Sequence, residues 1–247
     1  MTSKLDNALG LYMDGIRDGN VREAITKYTG DRYTQHSTGV ADGPEGFIAF
    51  FDAFIQRVPA RDLRVVRAIE DERYVFCHVS QDLNKGEARW ITTDLFDTDE
   101  NGKIIEHWDV IAPWQTDAEI DGPTEVVDLP QTQANKALVE AFITTVLIGG
   151  AGARATEFVA PDLVQHEHGI ESGASTWIAH LADTQTQYRE VFRLIAQGNF
   201  VVSYCKVDVA GAPHAIFDIL RVEAGRIVER WSNAEVVPDD TGNSGKF

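Results

Sequence analysis

The chain states nearly the same message twice. Tyr33-Thr34-Gln35-His36 runs through Gly39 and Gly43 to Phe47-Ile48, and the pattern returns as Leu163-Val164-Gln165-His166 through Gly169 and Gly173 to Trp177-Ile178. A later block recurs in the same order. Asp94-Leu95-Phe96 and Gly102-Lys103-Ile104-Ile105-Glu106-His107-Trp108 are answered by Asp218-Ile219-Leu220 and Gly225-Arg226-Ile227-Val228-Glu229-Arg230-Trp231. The period far exceeds the roughly 20 to 50 residues of a solenoid unit. A chain of 247 residues therefore reads as two copies of one domain, each long enough to close its own core.

The balance of 22 basic against 39 acidic residues leaves a formal charge of −17. A field of that sign repels phosphate backbones and anionic headgroups, so neither nucleic acid nor membrane is expected as a partner. No apolar run reaches the ~20 residues needed to span a bilayer, and the first residues lack the pattern of a secretory signal, so a cytoplasmic location is expected. Cys77 and Cys205 fall mid-strand in different copies and read as buried free thiols.

Periodicity orders each copy. Leu5, Leu9, Tyr12 and Ile16 recur at helical spacing until Gly19, Asn20 and Glu23 resemble a capping box opening a short helix to Tyr28, and Gly43-Pro44 opens a third helix lined by Phe47, Phe50, Phe51, Phe54, Ile55 and Val58. The period then changes to two over 63–69, 74–82, 88–96 and 103–111, with turn-rich segments between. The second copy repeats this: helices over 135–147 and 176–184, a short helix over 154–159, and strands over 163–168, 188–195, 200–207, 214–222 and 226–236. The expected fold class is α+β, helices packed on a strongly curved antiparallel sheet, twice over. Expected boundaries are a first domain over 1–115, an acidic linker over 116–131, a second domain over 132–238 and a flexible tail over 239–247.

Tyr33-x-Gln35-His36 ahead of Asp42-Gly43, and Gly102-Lys103-Ile104-Ile105-Glu106-His107-Trp108-Asp109 on the last strand of copy one, resemble the SnoaL-like proteins of the nuclear transport factor 2-like superfamily. The resemblance implies cone-shaped α+β barrels and, within the family, polyketide cyclases and proteins described as catalysing aldol condensation. It also implies an aspartate at the position of Asp109 that removes a carbon-bound proton and later protonates a carbonyl oxygen. Copy one departs from the pattern at Ser37-Thr38, where the family often has Asn-Pro, and at Asp97, where it often has Arg. Copy two has Arg230 and Ser232 where copy one has His107 and Asp109. Epoxide hydrolases of related fold need an arginine where Thr92 stands.

Residues two apart on a strand share a face, so His107 and Asp109 point one way and Trp108 the other. An aspartate facing apolar walls is a usable base; the alternative is an Asp109 that only accepts a hydrogen bond near a strand end. His36 is a candidate donor to a carbonyl or enolate, or else a buried histidine tying a loop to backbone. Asp94 reads either as a ligand-binding carboxylate or as an architectural one, paired with Arg67 as its counterpart Asp218 would be with Arg193. Tyr12, Tyr33 and Phe51 complete the candidate substrate contacts, with simple packing as the alternative. His166-x-His168 lacks a third ligand of suitable spacing, so no metal is expected, and no cofactor is implied. Two functions stand: an acid/base cyclase or isomerase acting on a small polyketide-like carbonyl compound through Asp109, His107 and His36, or a module that binds an apolar ligand without turnover. Trp108 and Trp231 on outer sheet faces call for a cover, and the expected one is a pseudo-dimer of the two copies within one chain, with a homo-oligomer as a further possibility.

Overall fold

The computed structural model describes residues 3–247, which divide into two compact units: unit 1 runs to Trp114 and takes in Pro238–Phe247, and unit 2 is Gln115–Val237. In unit 1, α1 (Lys4–Gly10) opens on a capping box in which the Ser3 hydroxyl accepts from the Asp6 amide and the Asp6 carboxylate accepts from the Ser3 amide. It passes directly into a π-helical stretch, Leu11–Arg17, and Gly19 at φ 87° then lets the chain turn into α2 (Val21–Tyr28). The chain continues through β1 (Thr29–Gln35), α3 (Gly43–Arg57), β2 (Arg61–Asp71), β3 (Tyr74–Leu83), β4 (Ala88–Thr98) and β5 (Ile104–Pro113).

Unit 2 repeats the order. The α4 helix (Thr132–Phe142) runs into a π-helical stretch, Ile143–Ile148, and a 3-10 turn over Gly152–Glu157 precedes β6 (Val159–Gln165), α5 (Ala174–Asp183), β7 (Thr186–Gln197), β8 (Phe200–Val209), β9 (Ala212–Glu223) and β10 (Arg226–Val236). The sheet orders are β1-β5-β4-β3-β2 and β6-β10-β9-β8-β7, the same arrangement twice.

The expectation of an antiparallel sheet needs one correction. β1 lies parallel to β5, with Gln35 opposite His107, and β6 lies parallel to β10, with Gln165 opposite Arg230, so both sheets are mixed. The reason is connectivity: β1 is separated from β5 by α3 and three strands, which frees it to add to the sheet edge in either sense.

Two expected boundaries also change. Residues 116–131 are not a free linker: the Trp231 indole donates to Asp121 O at 3.0 Å, the Val127 amide to Asn199 Oδ1 at 2.9 Å, and Gly198 at φ 59° keeps the approach of Val127 O open, since a Cβ there would meet it at 2.0 Å. Nor is 239–247 frayed. Thr241 O accepts from the Gly39 amide at 2.9 Å, and Asn243 Nδ2 donates to Ser37 O at 2.6 Å and Val40 O at 2.9 Å. Polar side chains and backbone amides, rather than apolar burial, hold both segments, and composition alone reads such segments as solvated.

Register fixes which side chains share the helix-facing side of the first sheet. Cross-strand partners lie on one face, so Cys77, Asp94 and Asp109 form one row and Val75, Phe96 and His107 the next. Cys77, Val75 and Phe96 pack in one core with Leu11, Tyr12, Ile16, Ile25 and Phe47 from the helices. The opposite face carries Trp108, 2% exposed, beneath the stacked ring of His36 at 4.9 Å. Unit 2 stacks His166 on Trp231 at 4.4 Å in the same way.

Candidate active site

Between the helices and the sheet of unit 1 lies a cavity of about 230 Å³. Its apolar wall comes from the π-helical stretch (Leu11, Tyr12, Ile16), from α3 (Phe47, Phe50, Phe51, Phe54) and from Trp90 and Phe96 of β4. The polar lining comprises Gln35, Thr92, Asp94, His107 and Asp109, with Ser37 and Thr38 of the loop after β1 and Gln81 of β3. Of the residues expected at the site, Tyr12, Tyr33, Phe51, Asp94, His107 and Asp109 all line this cavity.

His36 does not. β1 ends at Gln35, and the next residue turns to the outer face, where His36 Nε2 meets Glu106 Oε1 at 2.9 Å, Nδ1 donates to Gly245 O and the ring stacks on Trp108. Its counterpart His166 does the same, with Glu229 Oε1 at 2.8 Å from Nε2 and Ala118 O at 2.9 Å from Nδ1. These contacts link β5 and the end of β1 to a covering segment. The Asp94–Arg67 pairing is likewise absent: Arg67 Nη1 lies 3.2 Å from His78 Nδ1, and Asp94 pairs with His107. In unit 2, Asp218 pairs with Arg230 rather than Arg193.

The hydrogen bonds around His107 determine its tautomer. Gln35 Oε1 accepts from the His36 and Ser37 amides, both at 3.0 Å, so it is the oxygen, and the amide nitrogen faces the Tyr33 hydroxyl at 3.2 Å. His107 Nδ1, 2.8 Å from that oxygen, must therefore carry a hydrogen and donate. Its Nε2 is 2.9 Å from Asp94 Oδ1, and a single proton lies between those two atoms. Among the described residues, Asp94 Oδ2 is buried with no hydrogen-bond partner.

Asp94 and Asp109 stand directly opposite each other on adjacent strands. Burial holds the Asp94 carboxyl above the ordinary carboxylate range; the His107 contact works against this, and the negative charge of Asp109 adds to it. Like charges directly opposed across strands repel, which acts on Asp94 in the same direction as burial. Asp109 has a different neighbour: Lys246 Nζ is 3.1 Å from its Oδ1. Burial pushes the phenols of Tyr12 and Tyr33 well up, helped by the nearby carboxylates, and both are donors at neutral pH. The Tyr12 hydroxyl is 3.0 Å from Thr92 Oγ1.

Asp94, His107 and Asp109 offer ligand atoms within 4.8 Å of one another, a spacing open to a divalent cation. Two of the three atoms are already engaged, Nε2 with Asp94 and the Asp109 carboxylate with an ammonium. The arrangement supplies what proton transfer needs: a carboxylate and a separate proton-bearing pair on one wall of an apolar cavity.

Unit 2 shows what the exchange of two residues does. Arg230, in place of His107, binds Asp218 through Nη2 at 2.7 Å and Glu167 through Nη1 at 2.6 Å, while the Tyr188 hydroxyl takes the other Asp218 oxygen at 2.6 Å. Ser232 stands opposite Asp218, in the place of Asp109. The remaining cavity is about 160 Å³.

Sequence reasoning named Gln35 as part of a motif without a role, and it missed Lys246, for which no spacing or repeat gives a signal.

Residues 10–107 match the family model of the SnoaL-like domain. No curated protein sequence matches the chain significantly. Solved structures that resemble it include a protein described as a polyketide cyclase from Bacillus cereus ATCC 10987, 19% identical over 44% of this chain and 73% of that one, with a TM-score of 0.39. Others are a nuclear transport factor 2-like protein of unknown function from Cytophaga hutchinsonii ATCC 33406 (16%, 46% and 95%, TM-score 0.37) and a protein described as an LEH-like epoxide hydrolase from M. tuberculosis (19%, 43% and 86%, TM-score 0.37). Residues 10–107 thus match a SnoaL-like domain, and a second domain of the same sheet order follows in the same chain.

Proposed function

We propose that unit 1 is an acid/base catalyst acting on a small, largely apolar carbonyl compound of polyketide type, by aldol cyclisation or isomerisation. The observation that carries this reading is the buried in-register pair Asp94 and Asp109 in the wall of an aromatic-lined cavity, with His107 Nε2 2.9 Å from Asp94 Oδ1. Asp109 takes the proton from the carbon next to the substrate carbonyl. The electron pair moves to the carbonyl oxygen, and the Asp94–His107 pair delivers its proton there, with the Tyr12 phenol as a further donor. In an isomerisation, Asp109 returns its proton to a different carbon while the enol gives its proton back to the Asp94–His107 pair. In a cyclisation, the nucleophilic carbon of the enol attacks a second carbonyl of the same molecule, a carbon–carbon bond forms, the enol proton returns to the Asp94–His107 pair, and the resulting alkoxide takes the proton held by Asp109. Either sequence balances with proton transfers alone.

The lining of the cavity supports this substrate class. Phe47, Phe51, Phe54, Trp90 and Phe96 favour a flat, unsaturated skeleton, and Gln35, Thr92 and the two tyrosines leave room for few oxygens. Purified protein in D2O is expected to accelerate exchange of the α-protons of aryl ketones and aryl β-diketones above the buffer rate, followed by proton NMR. Saturable binding of these compounds without any acceleration would overturn catalysis and leave the ligand-binding function.

A further inference from the structure

Asp109 is the one carboxylate of the site paired with a lysine, and that lysine comes from a distant part of the chain. The Lys246 side chain is 0% exposed, with Nζ 3.1 Å from Asp109 Oδ1 and 3.5 Å from Thr38 Oγ1. A buried ammonium requires a paired charge, so the contact is a condition of the packing of this segment. Lys246 is not among the side chains that line the cavity, whereas Asp109 and Thr38 are. The ammonium thus stands behind the wall, and a ligand meets the carboxylate without meeting the lysine.

The segment that brings Lys246 is anchored at every step to the loop after β1. Besides the bonds from Gly39 and Asn243, the Ser244 hydroxyl donates to Asp42 Oδ2 at 2.8 Å and Gly245 O accepts from His36. Ser37, Thr38 and Val40 of that loop line the cavity. Unit 2 supplies an internal control. Its own covering segment, residues 115–128, presents Ala118 O to His166 much as Gly245 O is presented to His36, yet it contains no lysine, and Ser232 replaces Asp109. The lysine is present in the unit that has the carboxylate and absent from the unit that lacks it.

We propose that Lys246 is a positioning residue for Asp109: it holds Oδ1, fixes the side-chain rotamer and leaves Oδ2 directed at the substrate carbon. This rests on the acid/base reading of the cavity. Because the ammonium does not touch the ligand, its loss falls on turnover rather than on binding.

The test uses the full chain with Lys246→Met and Lys246→Arg, and two readouts. In α-proton exchange, Lys246→Met is expected to lower kcat about 100-fold, the scale on which misplacement of a reacting group acts. KM should stay within about twofold, and Lys246→Arg should recover part of kcat. Exchange by Lys246→Met at the wild-type kcat overturns the proposal. The second readout needs no substrate: in a crystal structure of Lys246→Met, Asp109 is expected in a changed rotamer. An unmoved Asp109 overturns the proposal, even if the wild-type protein exchanges nothing and the acid/base reading fails separately. Should Lys246→Met not fold, the side-chain ammonium spectrum of the 15N-labelled wild type decides. A slowly exchanging Lys246 signal that is lost or displaced in Asp109→Asn supports the pairing, and its indifference to Asp109→Asn overturns it.

Discussion

Gln35 is the residue on which the chemistry of the site turns. Two backbone amides fix its oxygen, that oxygen fixes the His107 tautomer, and the tautomer confines one proton to the contact with Asp94. The raised Asp94 carboxyl then has a measurable consequence. A group whose folded value lies above its unfolded one favours folding most when protonated, so its contribution is complete below the ordinary aspartate value of about 3.9 and is lost as pH rises through the raised value. Relative to Asp94→Asn, which cannot ionise, the wild type should therefore lose stability over that window. Urea midpoints measured against pH check this, and parallel curves for the two proteins would contradict it. Gln35→Leu removes the acceptor of His107 Nδ1 and leaves buried donors unpaired, a cost of about 1–3 kcal/mol; a urea midpoint equal to the wild type's would contradict the network. At this scale the sequence was legible where strand parity decides, as for His107, Asp109 and Trp108. Parity also puts His36 on the face opposite Tyr33 and Gln35, and its contacts match the second of the two sequence readings, a buried histidine tying a loop to backbone. Lys246 was illegible because a lone lysine following asparagine, serine and glycine is, by composition, a solvated one.

Among the elements, β2 to β5, β7 to β10 and the aromatic stripe of α3 were readable because burial leaves either a period or a continuous apolar run, and β3, β4, β8 and β9 are buried on both faces over most of their length. The parallel addition of β1 and β6 was not. Those strands are half exposed, and Thr29-Gly30-Asp31-Arg32 shows no alternation. The turn into α3 illustrates a constraint that sequence shows only as one more glycine. A Cβ on Gly46 would meet Ala41 O at 2.1 Å, and that atom is backbone, so it cannot step aside. Gly46→Ala should force the first turn of α3 away from the loop that lines the cavity. Overpacking of this kind costs about 1–3 kcal/mol, and a lowered midpoint in urea denaturation is expected. Gly39→Ala serves as a comparison: its Cβ meets nothing within 4 Å, so its penalty is confined to the positive φ of 81°. Equal losses from the two would argue against the steric account.

At the scale of the molecule, duplication was the plainest message in the sequence, and its divergence is what separates the two cavities: His107 and Asp109 in one, Arg230 and Ser232 in the other. The covering of the outer tryptophans was argued from sequence as a matter between copies. Within each unit, part of that cover comes from its own histidine, held by a segment of the same unit. No described helix is long and apolar enough to cross a membrane. Both units share one alkaline liability. Burial raises the phenols of Tyr12, Tyr33 and Tyr188, and the stability this gives is fully present below about pH 10, the ordinary tyrosine value, and is lost as pH rises through the folded values. Melting temperature should therefore fall above that pH, less steeply in Tyr188→Phe, and an equal slope in that variant would count against the account. The central claim, that chemistry belongs to the cavity of unit 1, is tested most directly by α-proton exchange of an aryl β-diketone with Asp109→Asn and Ser232→Ala side by side. Loss of a general base costs about 100- to 10,000-fold, so Asp109→Asn should approach the buffer rate while Ser232→Ala stays at that of the wild type. Equal effects of the two substitutions, or undiminished exchange by Asp109→Asn, would contradict it.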